Sequence, residues 1–177
     1  MILIALGSNL TGRWGTPVET LKRAVDILAE MPDTSLLRQS LIYETAGVGP
    51  GQPGVFANCV MAIECHCGPD ALLRRLKMIE RLAGPRSARR WGPRALDLDI
   101  LDYRGRIIRW PGKGKAGNNE TRKPLILPHP LLHLRPFVLV PLNDVAPDWR
   151  HPVFYLTASQ LWSRKRNEIK GRVLRAV

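Results

Sequence analysis

The order in which two hydrophobic periodicities alternate constrains this chain most. Ile2 to Leu6 is a short apolar run ending at Gly7-Ser8-Asn9, with the length and punctuation of a buried strand. Thr16-Pro17-Val18-Glu19 follows. Thr16 can cap a helix, Pro17 suits its first position, and Glu19 completes a capping box. Val18, Leu21, Val25 and Leu28 then share one face, which predicts a helix to about Ala29. Thr34 to Glu44 leans towards strand, and Val55 to Cys67 is a longer apolar run of β character. A second helix is predicted from Pro69 to about Ala83, with Leu72, Leu73, Leu76 and Ile79 facing a core and Gly84 ending it. A further strand spans Leu96 to Tyr103. The order β-α-β-β-α-β predicts an α/β (α+β) fold, a ferredoxin-like sandwich: a mostly antiparallel sheet with helices on one face.

We read residues 1–177 as a single domain, long enough to bury a sizeable core. Ala46 to Gly54 is too rich in Gly and Pro for regular structure. Residues 109–123 are polar, basic and aperiodic, and read as a flexible insertion. Leu125 to Leu142 is apolar but interrupted by Pro128, Pro130, Pro136 and Pro141, which predicts irregular packed chain with short helical turns. From Thr157 the tail reads as a terminal helix with a solvated face.

No apolar run is long enough to span a bilayer, and Met1 to Gly7 lacks the basic start of a signal peptide. Cys59, Cys65 and Cys67 lack a second pair of ligands at zinc spacing and read as reduced thiols, which fits a cytoplasmic protein. The formal net charge of +12, from 27 Lys and Arg against 15 Asp and Glu, invites a polyanionic partner. The basic residues are dispersed, however, and no nucleic-acid motif accompanies them. A nucleic-acid-binding protein is the weaker reading, with charge as its only support.

The chemistry concentrates in Arg90-Trp91-Gly92-Pro93-Arg94-Ala95-Leu96-Asp97-Leu98-Asp99. In a strand, Asp97 and Asp99 point the same way while Leu96, Leu98 and Ile100 point the other. Asp is disfavoured in strands, so two in an apolar strand need a reason. Aligned carboxylates that cannot pair with each other suit a hard divalent cation such as Mg²⁺, which usually arrives with phosphate. Arg86, Arg89, Arg90 and Arg94 supply cations to neutralise phosphate oxygens. Trp91 either lies over a ring or packs under the turn. His129, held between Pro128 and Pro130, suits a hydrogen bond to phosphate or to backbone. Asn58 interrupts an apolar run, and a buried amide must find partners in a heterocycle or in a neighbouring loop.

Those residues stand in a recognisable order. Ala5-Leu6-Gly7-Ser8-Asn9-Leu10, Tyr43-Glu44-Thr45 with its glycine-rich loop, and Phe56-Ala57-Asn58 come first. The Arg90 to Leu101 stretch, Leu127-Pro128-His129, and Arg135-Pro136-Phe137 to Pro141-Leu142 complete it. Over most of residues 1–150 the chain resembles the 6-hydroxymethyl-7,8-dihydropterin pyrophosphokinase family, folate-pathway enzymes that move pyrophosphate from ATP to a pterin alcohol. The resemblance implies that Asp97 and Asp99 hold two Mg²⁺ ions on the ATP phosphates. It implies attack of the pterin hydroxymethyl oxygen on the β-phosphorus, with AMP leaving. Arg94 and His129 are then phosphate ligands, Arg90 and Trp91 belong to a mobile catalytic loop, and Arg86, Arg89, Arg135 and Glu80 lie on the nucleotide side. The pterin lies between Phe56 and Phe137, near Trp91. Asn58 and backbone groups from Thr45 to Val48 read its edge; Asp97 is one candidate for the proton acceptor, whose identity the sequence leaves open. A monomer is expected. Pro85, Ser87 and Pro124 stand where the family usually has arginines, which leaves open a relative that binds nucleotide or pterin without turnover.

Overall fold

Ile2, Leu3 and Ile4 are consecutive apolar residues, as are Val60, Met61, Ala62 and Ile63, and each is fully buried. Neighbours in a strand point to opposite faces, so such strands need cover on both sides. The computed structural model describes residues 1–47, 54–84, 94–111, 124–165 and 173–177. Its elements begin with β1 (Ile2–Ser8), α1 (Pro17–Ala29), β2 (Thr34–Gln39), β3 (Tyr43–Ala46) and β4 (Val55–Cys65). They continue with α2 (Pro69–Ala83), β5 (Asp97–Tyr103), a 3-10 turn (Leu132–Leu134), α3 (Pro136–Val145), α4 (Ala158–Lys165) and β6 (Val173–Ala176).

The six-stranded sheet runs β5-β1-β4-β3-β6, with β2 also on β4, and every described ladder is antiparallel. Long β4 pairs with β1 along one edge and shares the other between β2 and β3. That edge divides at Ser40, whose N–H donates to the Val60 carbonyl at 2.9 Å and whose hydroxyl accepts the Val60 N–H at 3.0 Å. The β-leaning stretch from Thr34 to Glu44 is therefore two strands joined at a side-chain-bonded kink.

One face of the sheet carries α1 and α2, with Leu21, Leu28, Leu72 and Leu76 packed among Ile2, Ile4, Leu6, Met61 and Leu98. The expected capping box is present: the Glu19 N–H donates to Thr16 Oγ1 at 3.3 Å and the Thr16 N–H to Glu19 Oε2 at 2.7 Å. The other face carries α3 and α4, with Val138, Leu139, Leu142 and Leu161 on Leu3, Val60, Ala62 and Leu101. The expectation of helices on one face is thus corrected. Its physical reason is the missing polar alternation in β1 and β4.

Three further expectations change. Leu125 to Leu142 is not irregular throughout, because a helix starts at Pro136 and runs through Pro141. An internal proline costs about 3 kcal/mol. Burying Val138, Leu139, Leu142 and Val145 returns roughly 1.5–3 kcal/mol for each side chain, so the helix wins. The tail forms α4 as expected, opened by reciprocal bonds between Thr157 and Gln160, but the chain then adds β6 to the sheet. The insertion from 109 to 123 begins anchored rather than flexible: Trp110 is buried, its ring 5.3 Å from His151 and 5.9 Å from Phe154. Ile108 and Leu127 bridge through main-chain bonds of 2.9 and 3.0 Å, so the segment leaves and returns at one place. Residues 112–123 lie outside the described residues.

Candidate active site

Strand alternation does at β5 what the spacing predicts. Leu98 and Ile100 enter the core under α1 and α2, which turns Asp97 and Asp99 to the face covered by α3. Beside them, Gly7 of β1 is in register with both Asp97 and Asn58, and Ala5 with Asp99. The start of α3 adds Arg135 and Phe137. Asp97, Asp99, Asn58, Arg135 and Phe137 line one cleft, floored by Ala5, Leu6 and Gly7 and closed by Val138. Gly7 is needed for close approach: a β-carbon there would lie 3.1 Å from Asn58 Oδ1.

Cations surround the carboxylates. Arg94 Nη1 donates to Asp97 Oδ1 at 2.7 Å, and Arg135 Nη1 lies 3.5 Å from Asp99 Oδ2. Arg94 is held by the end of β1: its N–H donates to Asn9 Oδ1 at 2.9 Å, and the Asn9 N–H donates to its carbonyl at 3.3 Å. Ser8 Oγ donates to the Ala95 carbonyl at 2.6 Å. Gly7-Ser8-Asn9, legible in the sequence as the end of a strand, thus also aligns the approach to β5.

His129 reaches the same group, with Nε2 3.7 Å from Asp99 Oδ2. Burial pushes its pKa below the usual histidine range, against the opposing pull of Asp99. Its Nδ1 accepts the Leu131 N–H at 3.2 Å, so the neutral ring carries its proton on Nε2, facing the carboxylates. An N–H donor aimed this way suits an anionic oxygen.

Glu80 lies elsewhere than in the cleft. It is buried on α2, where Oε1 accepts the Leu98 N–H at 2.8 Å and the Lys77 ammonium at 2.5 Å. Lys77 Nζ also donates to the Leu98 carbonyl at 3.0 Å. Because β5 is an edge strand, both main-chain groups of the residue between the aspartates are taken by a helix. Burial pushes the Glu80 carboxyl up, and Lys77 opposes it. Sequence reasoning missed Lys77 and the clamp, since lysine and glutamate three residues apart read as a surface pair.

On β4, the buried Asn58 donates from Nδ2 to Thr45 Oγ1 on β3 at 2.7 Å. Its partner is therefore the next strand. Phe56 lies two residues along the same strand, paired with Thr45, and is not part of the cleft lining. Val48, Arg86, Arg89, Arg90 and Trp91 lie outside the described residues.

The aligned aspartates offer hard oxygen donors. Among the described residues no cluster of three or more His, Cys, Asp or Glu could hold a metal ion by itself. Two carboxylates fit Mg²⁺, which is usually bound through one or two carboxylates with water and substrate phosphate completing its shell. Among the described residues no helix is long and apolar enough to cross a membrane.

Comparison with known proteins converges on one family. The family model described as 7,8-dihydro-6-hydroxymethylpterin-pyrophosphokinase matches residues 3–147. A 2-amino-4-hydroxy-6-hydroxymethyldihydropteridine pyrophosphokinase of Haemophilus influenzae is 40% identical over 145 residues, 82% of this chain and 81% of that protein. One of Pseudomonas aeruginosa is 36% identical over 151 residues, 85% of this chain and 83% of that protein. A folic acid synthesis protein of Dictyostelium discoideum is 30% identical over 161 residues, 91% of this chain but 22% of its own length. The chain belongs to the 7,8-dihydro-6-hydroxymethylpterin-pyrophosphokinase family.

Proposed function

We propose that this member of the family transfers pyrophosphate from ATP to 6-hydroxymethyl-7,8-dihydropterin, releasing AMP, in folate biosynthesis. The observation that carries this reading is one cleft lined by two aligned carboxylates, Arg135, a buried amide and an aromatic ring, with Arg94 and His129 reaching the same carboxylates from beside it. One half suits a magnesium-bound triphosphate. The other suits a flat heterocycle with mixed donors and acceptors.

Asp97 and Asp99 would hold Mg²⁺, two ions in the full reading, which when bound neutralises triphosphate charge and orients it for in-line displacement. Arg94, Arg135 and the Nε2–H of His129 donate to phosphate oxygens, Arg94 exchanging its bond with Asp97 for one with substrate. Asn58 reads the pterin edge while Thr45 fixes its amide, and Phe137 packs on the ring face, with Phe56 beyond Asn58. Val48 on the pterin side, and Arg86, Arg89, Arg90 and Trp91 over the phosphates, belong to the same proposal through the family resemblance. So does the assignment of Asp97 as acceptor of the hydroxyl proton. The bond from the hydroxymethyl oxygen to the β-phosphorus forms as the β-phosphorus bond to the AMP oxygen breaks. Catalysis here is mostly positioning and charge neutralisation.

The family resemblance puts Glu80 on the nucleotide side. Its bonds to Lys77 and Leu98 support a positioning role, fixing β5 from behind the aspartates. Incubating the protein with ATP and Mg²⁺, with and without the pterin alcohol, tests the reading by chromatography. AMP formed only with pterin supports it. ADP formation, or AMP formed equally without pterin, would refute it.

A further inference from the structure

The family match ends at residue 147, yet β6 at Val173–Ala176 joins the sheet beside the proposed pterin half of the cleft. Resting on the pterin reading above, we infer that β6 is a positioning element for pterin recognition and sets pterin affinity from outside the cleft.

The case is one of shared backbone. β3 has four residues, too short a strand to hold its geometry by one ladder alone. On its inner edge Thr45 pairs with Phe56 and Tyr43 with Asn58. On its outer edge Thr45 pairs with Val173, Glu44 with Arg175 and Tyr43 with Ala176. Below that, the Val177 N–H donates to the Ile42 carbonyl at 2.8 Å. Thr45 Oγ1 is the acceptor that orients the Asn58 amide, and two residues on, the Gly47 N–H donates to the Gly54 carbonyl at 3.1 Å. A displacement of β3 that carries Thr45 therefore shifts the acceptor of the Asn58 amide and the Gly47–Gly54 bond together. Without β6, β3 would be an unpaired edge, prone to fraying.

Main-chain pairing carries more of this than charge does. Arg175 Nε donates to Glu44 Oε2 at 2.7 Å, but its side chain is 68% exposed, and such pairs are weak. Since the Val177 N–H points to β3, alternation turns the Arg175 N–H the same way. Arg175→Pro removes that donor and the guanidinium at once.

The experiment uses the full chain as wild type, Arg175→Pro, Arg175→Glu and Arg175→Lys. Calorimetry gives the affinity for 6-hydroxymethyl-7,8-dihydropterin in the presence of Mg²⁺ and α,β-methylene-ATP, and separately the affinity for that nucleotide. Arg175→Pro should weaken pterin binding by about 3- to 30-fold, the range for coupling through packed elements, with nucleotide affinity unchanged. Arg175→Glu, which sets like charges opposite each other, should do so less, and Arg175→Lys should match wild type. Should Arg175→Pro fail to fold, nucleotide binding disappears with it and Arg175→Glu carries the test. Wild-type pterin affinity in a variant whose Tyr43–Ala46 amides exchange faster would overturn the role of β6. A wild-type chain that binds nucleotide but no pterin would instead overturn the functional reading on which it rests.

Discussion

Replacing Glu80 by Ala tests whether the cleft is held from behind. In the native structure Glu80 and Lys77 occupy the N–H and C=O of Leu98, the residue between the two aspartates. Alanine leaves the Leu98 N–H without its acceptor, which costs about 1–3 kcal/mol when buried. It also strips the counter-ion from Lys77, whose side chain is 28% exposed, so this loss falls well short of the roughly 3–5 kcal/mol of a fully buried pair. Relief of the burial cost that raises the Glu80 pKa offsets part of the total. A net destabilisation of about 2–3 kcal/mol follows. Glu80→Gln keeps an acceptor for Leu98 and loses only charge, so it should cost about 1 kcal/mol. Misplacing a catalytic group by 1 Å can lower a rate about 100-fold. Turnover should therefore fall about 10- to 100-fold in Glu80→Ala and much less in Glu80→Gln, with ATP affinity nearly unchanged. Urea unfolding and pterin-dependent AMP formation supply the readouts, with nucleotide binding by calorimetry. Native stability together with lost ATP affinity, equal in Ala and Gln variants, would refute the clamp and return Glu80 to the nucleotide.

Two other perturbations address different parts of the molecule. Gly7→Ala places a methyl 3.1 Å from Asn58 Oδ1; displacement of the amide should weaken pterin affinity about 10-fold, at an overpacking cost of about 1–3 kcal/mol, and unchanged pterin titrations would count against Asn58 as the reader. His151, buried and pushed down to about 4 from 6.5 by burial, binds its proton more readily unfolded than folded. Its contribution is therefore complete above about pH 6.5 and falls by roughly 3 kcal/mol as pH drops to 4. His151→Asn, which can keep an acceptor for the Val153 and Phe154 N–H groups, should flatten that part of the stability profile; identical slopes in chemical denaturation from pH 7 to 4 would contradict it.

The parts of this molecule that were legible in its sequence are those set by local periodicity. Alternation put Asp97 and Asp99 on one face, the Thr16–Glu19 box opened α1, and Asn58 within an apolar run announced a buried amide in need of partners. What escaped depended on partners remote in sequence. Pro136 and Pro141 argued against a helix that burial of Val138, Leu139 and Leu142 sustains. Val173–Ala176 is too short to announce a strand, and only the open edge of β3 makes it one. The Lys77–Glu80 clamp exists because β5 is at the sheet edge, a fact of topology. Asn9 reads in the sequence only as punctuation after a strand, because the Arg94 N–H that its side chain accepts is remote in the chain.

The most direct test of two carboxylates holding a magnesium-bound triphosphate beside a pterin is the Mg²⁺ dependence of AMP formation in Asp97→Asn and Asp99→Asn. Each substitution keeps the side-chain shape and removes one negative charge. Turnover should fall by about 100-fold or more in both, and the Mg²⁺ concentration for half-maximal rate should rise, while the far-ultraviolet circular dichroism spectrum and melting midpoint stay close to wild type. Pterin-dependent AMP formation at the wild-type rate and wild-type Mg²⁺ dependence in either variant would contradict the central assignment.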